Sequence, residues 1–152
     1  MKFGGVLLIV EDIAIATKYY QEVLEQQVTM DLGEHVSFEN GLALQTNYGS
    51  IVGKELTTTP GANTFQLYFE VEGIQTWAER LAENSEVTFL HSIKEYPWGQ
   101  RSFRIYDPSQ NIIEIAESMA EVIGNLIEKG LSTEAIAKQT MCPVDYIETL
   151  RD

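Results

Sequence analysis

The chain has 152 residues, 44% of them hydrophobic and 22% charged, and its 23 acidic side chains against 10 basic ones give a formal charge of −13. This composition suits one domain, or two small halves sharing a core, and excludes a disordered or membrane-spanning chain. The negative field repels phosphate, which argues against a nucleic-acid partner, and it would draw a cationic ligand, although solubility is the ordinary reason for such acidity. The apolar run Val6–Val10 opens the chain as a strand. It is too short to span a bilayer, and Glu11-Asp12 follows at once with no cleavage pattern, so the expected compartment is the cytoplasm. Cys142 is the only cysteine, so neither an intrachain disulfide nor a cysteine-based zinc site is possible.

After the first strand, Asp12 is placed to cap a helix whose stripe is Ile13, Ala16, Tyr20 and Val23. A short strand begins at Val28-Thr29-Met30. The pair Asn40-Gly41 between His35–Glu39 and Leu42–Gln45 predicts a hairpin with a type I′ turn. The stretch 49–62, with glycine, proline and three consecutive threonines, reads as a linker. The same order then returns. Phe65, Leu67, Phe69 and Val71 alternate with Gln66, Tyr68 and Glu70 as a strand exposing two different faces. Ile74, Trp77, Ala78, Leu81 and Ala82 form a helical stripe, and Val87-Thr88-Phe89 starts the next strand. The turn Asp107–Asn111 joins Ser102–Tyr106 to Ile112–Glu117. The words Val10-Glu11-x-Ile13 and Val71-Glu72-x-Ile74 mark equivalent points, so each half reads βαβββ.

From Ser118 onward the pattern is helical. Val122, Ile123, Leu126 and Ile127 mark a helix that stops at Lys129-Gly130. Ser132 or Thr133 caps a second with Ala135, Ile136 and Ala137, and Pro143 suits the first turn of a third with Tyr146, Ile147 and Leu150. The segment resembles a helix-turn-helix unit. Yet residues 117–152 carry three cations, Lys129, Lys138 and Arg151, against seven acids, which is the wrong sign for DNA. The expected roles are a lid or a dimer contact.

The paired βαβββ units, together with Tyr106-Asp107-Pro108-Ser109-Gln110-Asn111-Ile112-Ile113-Glu114-Ile115, resemble the vicinal oxygen chelate superfamily of glyoxalase I, bleomycin-resistance proteins and extradiol dioxygenases. The word Pro97-Trp98-Gly99-Gln100-Arg101 is also similar to members of this group. The resemblance implies an α+β fold with two modules forming a curved mixed sheet around a cup. Module one is 1–48 and module two 63–117, joined by the linker, so that 1–117 is the glyoxalase-like domain and 118–152 a helical appendage. It also implies a homodimer. In metal-dependent relatives the first and last strands of each module supply His, Gln or Glu ligands to a divalent ion, Zn, Ni, Mn or Fe. These positions fall here on Gly5, Ala43, Gln66 and Glu114. A one-step slip in module one would give Leu44, and a two-step slip Gln45. Neither glycine nor alanine can bind a metal, so at most two of the usual ligands remain, with His91 as a candidate third beside Gln66 and Glu114.

Alternation turns Glu114, between Ile113 and Ile115, into the cup, where a carboxylate must be solvated, paired or ligating; the ordinary alternative is a salt bridge to Arg101 or Arg104. Gln66 and Tyr68 share the cup face of their strand. Trp98, in a loop, either stacks on a ligand or plugs the cup's edge. Arg101 either meets an anionic group or pairs Glu114. His35 is expected at the surface, and Cys142 is expected to pack. Glu114 is thus the candidate catalytic residue, and Gln66, Tyr68, His91, Trp98 and Arg101 the candidate ligand-binding set. Three functions stay open. One is a small-molecule binder without the complete metal site or any cofactor. Another is a metal-dependent lyase or dioxygenase, and the third is a regulator using its tail on a protein partner.

Overall fold

In the computed structural model, which describes residues 1–151, the first half runs β1 (Val6–Ile9), α1 (Ile13–Glu22), β2 (Val28–Asp31), β3 (His35–Phe38) and β4 (Leu42–Gln45). Asp12 caps α1 by accepting a 2.9 Å bond from Ile15 N. The strands lie in the order β1-β4-β3-β2; β1 is parallel to β4, and the other neighbours are antiparallel. One face of this sheet buries Leu8, Val36, Phe38, Leu42 and Leu44, and α1 buries Ala16, Tyr19 and Tyr20. On the other face β1 leaves Leu7 and Ile9 exposed.

The β3–β4 turn differs from the expected type I′. That turn needs two residues at positive φ, and only Gly41, at +83°, adopts one. Gly41 N donates to Phe38 O at 3.2 Å and Leu42 N to Asn40 Oδ1 at 3.0 Å, which makes a three-residue loop, 39–41, ending in a left-handed glycine. Gly41 also lets the chain before β1 come close. A Cβ placed on Gly5, whose φ is +140°, would lie 2.1 Å from Gly41 O.

The expected linker begins with a short helix, α2 (Tyr48–Val52). The second half repeats the first: β5 (Gln66–Val71), α3 (Ile74–Ala82), β6 (Thr88–Glu95), β7 (Arg101–Tyr106) and β8 (Ile112–Glu117) form a mixed sheet in the order β5-β8-β7-β6. The matching orders put β1 and β5 in equivalent places. Phe103, Ile105, Ile113 and Ile115 are buried with Ile74 and Leu81, while Gln66, Tyr68 and Glu70 stand exposed on β5. Neither sheet closes into a barrel.

The chain divides into two compact units, one holding Met1–Phe65 with Tyr106–Ile112, the other Gln66–Ile105 and the chain from Ile113 on. The turn 107–111 therefore belongs with the first half's helix. Asp107, buried, accepts from Ser109 N (2.9 Å), Asn111 N (2.8 Å), Asn111 Nδ2 (2.9 Å) and the Tyr20 hydroxyl (2.8 Å). Burial first, and then the charge of Asp107, hold the Tyr20 phenol well above the usual tyrosine range.

The tail forms α4 (Met119–Glu128), α5 (Thr133–Thr140) and α6 (Val144–Thr149) around Val122, Ile123, Leu126, Ile136 and Ile147. Ser118 caps α4, accepting from Glu121 N at 3.1 Å, and Ser132 caps α5, accepting from Ala135 N at 3.2 Å. Pro143 stands one place before α6 rather than inside its first turn, because its ψ of 140° is extended. Cys142 is half-buried against the tail core. Asp152, counted in the tail, lies outside the described residues. Among the described residues no helix is long and apolar enough to cross a membrane.

Candidate functional site

The second sheet carries the richest polar cluster, and Arg104 is at its centre. On β7, Phe103 and Ile105 point to the buried side, so alternation sends Arg104 to the opposite face. Alternation does the same for Glu114, between the fully buried Ile113 and Ile115 of β8, and for Gln66 on β5. Arg104 Nε donates to Gln66 Oε1 at 3.0 Å, and Arg104 Nη2 pairs with Glu114 Oε2 at 2.9 Å. Gln66 Nε2 donates to the same carboxylate oxygen at 2.6 Å. The pair is sheltered, Arg104 being 21% and Glu114 10% exposed over their side chains. It is therefore screened less than a surface pair.

Two further groups meet the other arm of the guanidinium. Arg104 Nη1 donates to the Tyr96 hydroxyl at 2.8 Å and lies 3.1 Å from His91 Nε2. His91 Nδ1 lies 2.7 Å from Ser92 O, and a carbonyl can only accept. That fixes the proton on Nδ1 and leaves the Nε2 lone pair for Arg104. Burial would raise the Tyr96 phenol, but the hydrogen bond and charge of Arg104, with Lys94 5.3 Å above the ring, outweigh it and hold the phenol below the usual tyrosine value.

Beside the cluster lies an aromatic platform. Trp98 stacks on Tyr96 with ring centroids 4.7 Å apart and planes 14° from parallel. Its Nε1 donates to Gln100 Oε1 at 3.0 Å, and Gln100 Nε2 donates to the Tyr68 hydroxyl (3.1 Å) and to Glu117 O (2.8 Å). The indole is thus held at both its ring face and its N–H while 38% of the residue stays exposed. Tyr68 donates in turn to Glu70 Oε1 at 3.0 Å; burial first, and then Glu70, raise its phenol, so it remains a neutral donor.

The sequence-derived candidates thus fall into three places. Gln66, His91 and Glu114 meet around Arg104, and Tyr68 and Trp98 meet around Gln100. Arg101 joins neither. Alternation carries it with Phe103 and Ile105 to the buried side, where its Nε donates to Glu117 Oε1 at 2.9 Å and its backbone N to Glu117 Oε2 at 2.8 Å. It borders a cleft of about 590 Å³ walled by Glu117, Val122, Asn125 and Gln139. In the sequence Arg104 stands out only as a partner for Glu114, although its alternation with Phe103 and Ile105 marks its face. Tyr96 and Gln100 carry no such signal, because they sit at the ends of a loop.

The first sheet offers nothing comparable. Ala43 lies between the buried Leu42 and Leu44, and Gly5 has no room for a side chain. Gln45 is spent locally, donating to Glu34 O and Thr46 O at 2.8 Å each and contacting His35 Nδ1 at 3.0 Å. His35, expected at the surface, is half-buried and also reaches Ser37 Oγ at 2.9 Å.

These donors do not fit a divalent ion as they stand. The lone pairs that would ligate it, on Gln66 Oε1, His91 Nε2 and Glu114 Oε2, are each turned onto a guanidinium, and two cations cannot share that point. Among the described residues, no group of three His, Cys, Asp or Glu side chains is placed to hold a metal ion.

The family model described as "Glyoxalase-like domain" matches residues 3–120, and the chain belongs to that family. Among solved structures, a protein of unknown function from Agrobacterium tumefaciens is 29% identical with a TM-score of 0.71, over 78% of this chain and 94% of that one. A glyoxalase-related enzyme from Fulvimarina pelagi is 23% identical with a TM-score of 0.64, over 78% and 89%. A glyoxalase/bleomycin resistance protein/dioxygenase from Nocardioides is 21% identical with a TM-score of 0.65, over 77% and 83%. No curated protein sequence matches. The fold is that of the glyoxalase/bleomycin-resistance/dioxygenase group, and most of the helical tail lies beyond the family match.

Proposed function

We propose that this protein binds a small cationic or neutral aromatic molecule on the second sheet's polar face, without a resident metal. The observation that carries the reading is Arg104, which turns the candidate metal ligands into a salt-bridged, hydrogen-bonded wall. A flat ring stacks on the exposed side of Trp98, and the stack and N–H bond that hold the indole reduce the ordering cost of binding. The Tyr68 hydroxyl and the Glu70 carboxylate offer polar contacts beside it. The net charge of −13 draws a cation and repels an anion. Binding as a homodimer in the cytoplasm belongs to the same reading and rests on family analogy.

The test is elemental analysis of protein purified without chelator, followed by a thermal-shift screen of cationic and neutral aromatics, catechols and glutathione adducts. The reading expects less than a tenth of an equivalent of Ni, Zn, Mn or Fe. It also expects a hit that survives chelator and is weakened at least tenfold by Trp98→Ala. A stoichiometric metal lost in Glu114→Gln would favour the lyase or dioxygenase alternative instead.

A further inference from the structure

We infer that Arg104 is a resident cation closing a latent metal site: Gln66, His91 and Glu114 converge on its guanidinium, and a divalent ion takes that place only when the arginine is removed. The inference rests on the metal-free reading above and extends it to what the cluster becomes without its cation.

Each donor already has the state a metal requires. His91 is the clearest case. An imidazole ligand is usually fixed by a hydrogen bond from its second nitrogen, and here Nδ1 is held by Ser92 O, so Nε2 faces Arg104 with its lone pair. Gln66 is oriented in the same way. Its amide nitrogen is committed to Glu114 at 2.6 Å, so its oxygen faces the guanidinium. Glu114 is salt-bridged to Arg104, and a sheltered carboxylate needs some cation. Taking Arg104 away leaves that charge uncompensated, and a divalent ion is the group that restores the balance. Gln, His and Glu make a mixed oxygen and nitrogen set suited to Ni, Zn, Mn or Fe.

The distances set the remaining requirement. The three donors stand 3.0, 3.1 and 2.9 Å from guanidinium nitrogens. Metal–ligand bonds of about 2.1 Å would require the three side chains to close in around the vacated volume. The first sheet cannot help or compete, because its equivalent positions are Gly5 and Ala43.

The experiment measures Ni²⁺ and Zn²⁺ binding by isothermal titration and thermal shift in wild type, Arg104→Ala, Arg104→Met and Arg104→Ala/Glu114→Gln. Circular dichroism reports folding. The methionine variant keeps much of the arginine stem, so it tests the idea if the alanine variant is too unstable. The inference expects no Glu114-dependent binding in wild type. It expects one equivalent bound at least tenfold more tightly in Arg104→Ala or Arg104→Met, and loss of that gain in the double variant. If the folded arginine variants bind no more tightly than wild type, the latent site is refuted and the metal-free reading stands. If wild type binds one equivalent through Glu114, both are refuted.

Discussion

The two halves share a frame and differ in what they mount on it. Each has four strands with the first beside the fourth, and each buries one face against its helix. At equivalent points of the open faces the first half has Gly5 and Ala43, and the second has Gln66 and Glu114. The frame tolerates both because its stability comes from the opposite face, where Leu42 and Leu44 play the part of Ile113 and Ile115. In the first half the backbone itself forbids a side chain at position 5, whereas in the second the open face supports a network of Gln66, His91, Tyr96, Arg104 and Glu114.

The largest expected effect tests whether that difference is imposed by the backbone. Gly5→Ala would put a methyl 2.1 Å from Gly41 O at a φ of +140°, and should cost about 3 kcal/mol or more in urea unfolding. Gly4→Ala meets nothing within 4 Å and should stay within about 0.5 kcal/mol. Equal stabilities would show that the first half is free to carry a side chain there. Next come the two β-turns that close the halves. Asp107→Ala strips four hydrogen bonds from a buried site and should cost about 3 kcal/mol. Asn40→Ala, at the exposed counterpart, should cost about 1 kcal/mol or less, so a chemical-denaturation comparison ranks the two.

Glu114→Gln should cost about 1 kcal/mol, because the amide keeps a bond to Arg104 but removes the charge. A loss as large as that of Asp107→Ala would mean that the polar face, and not the core alone, holds the second half together. The smallest effect is a change in titration. Rising pH, followed by tyrosinate absorbance, should ionise Tyr96 below the usual value of about 10 and Tyr20 well above it. The low value at Tyr96 favours the folded state above the unfolded phenol's value, and that contribution fades as pH falls through the folded one. Tyr20 works in the opposite sense: its contribution is complete below about pH 10 and is lost as pH climbs towards its raised value. Tyr96→Phe should remove absorbance change from below that value, and Tyr20→Phe from above it.

Much of this was legible in the sequence because alternation and capping are local. The period of two along Phe65–Val71 exposes Gln66, Tyr68 and Glu70, and Asp12 and Ser132 are side-chain caps in the expected places. The type I′ turn failed because Asn40-Gly41 signals a tight turn but does not fix loop length; the pairing of Ser37 with Ala43 leaves room for three residues. Site partners are harder because they are chosen in space. Glu114 offered two arginines in sequence, and the face of β7 decides for Arg104 while Arg101 goes to Glu117. Gln100 is a polar residue in a loop until folding brings it to Trp98 and Tyr68 at once.

The bond between the Tyr20 hydroxyl and Asp107 spans 87 residues of chain and has a consequence for how the protein is made. At synthesis rates of about 5–20 residues per second, Tyr20 leaves the ribosome roughly 4–17 s before its partner. Through that interval the first half can pair its strands and pack α1, but its deepest phenol has no acceptor from the Asp107 turn. The turn that completes the first half is encoded inside the second. Translation order thus makes the early half wait for the late one, and a nascent chain stalled near the linker would present Tyr20 unfinished to any chaperone or protease nearby.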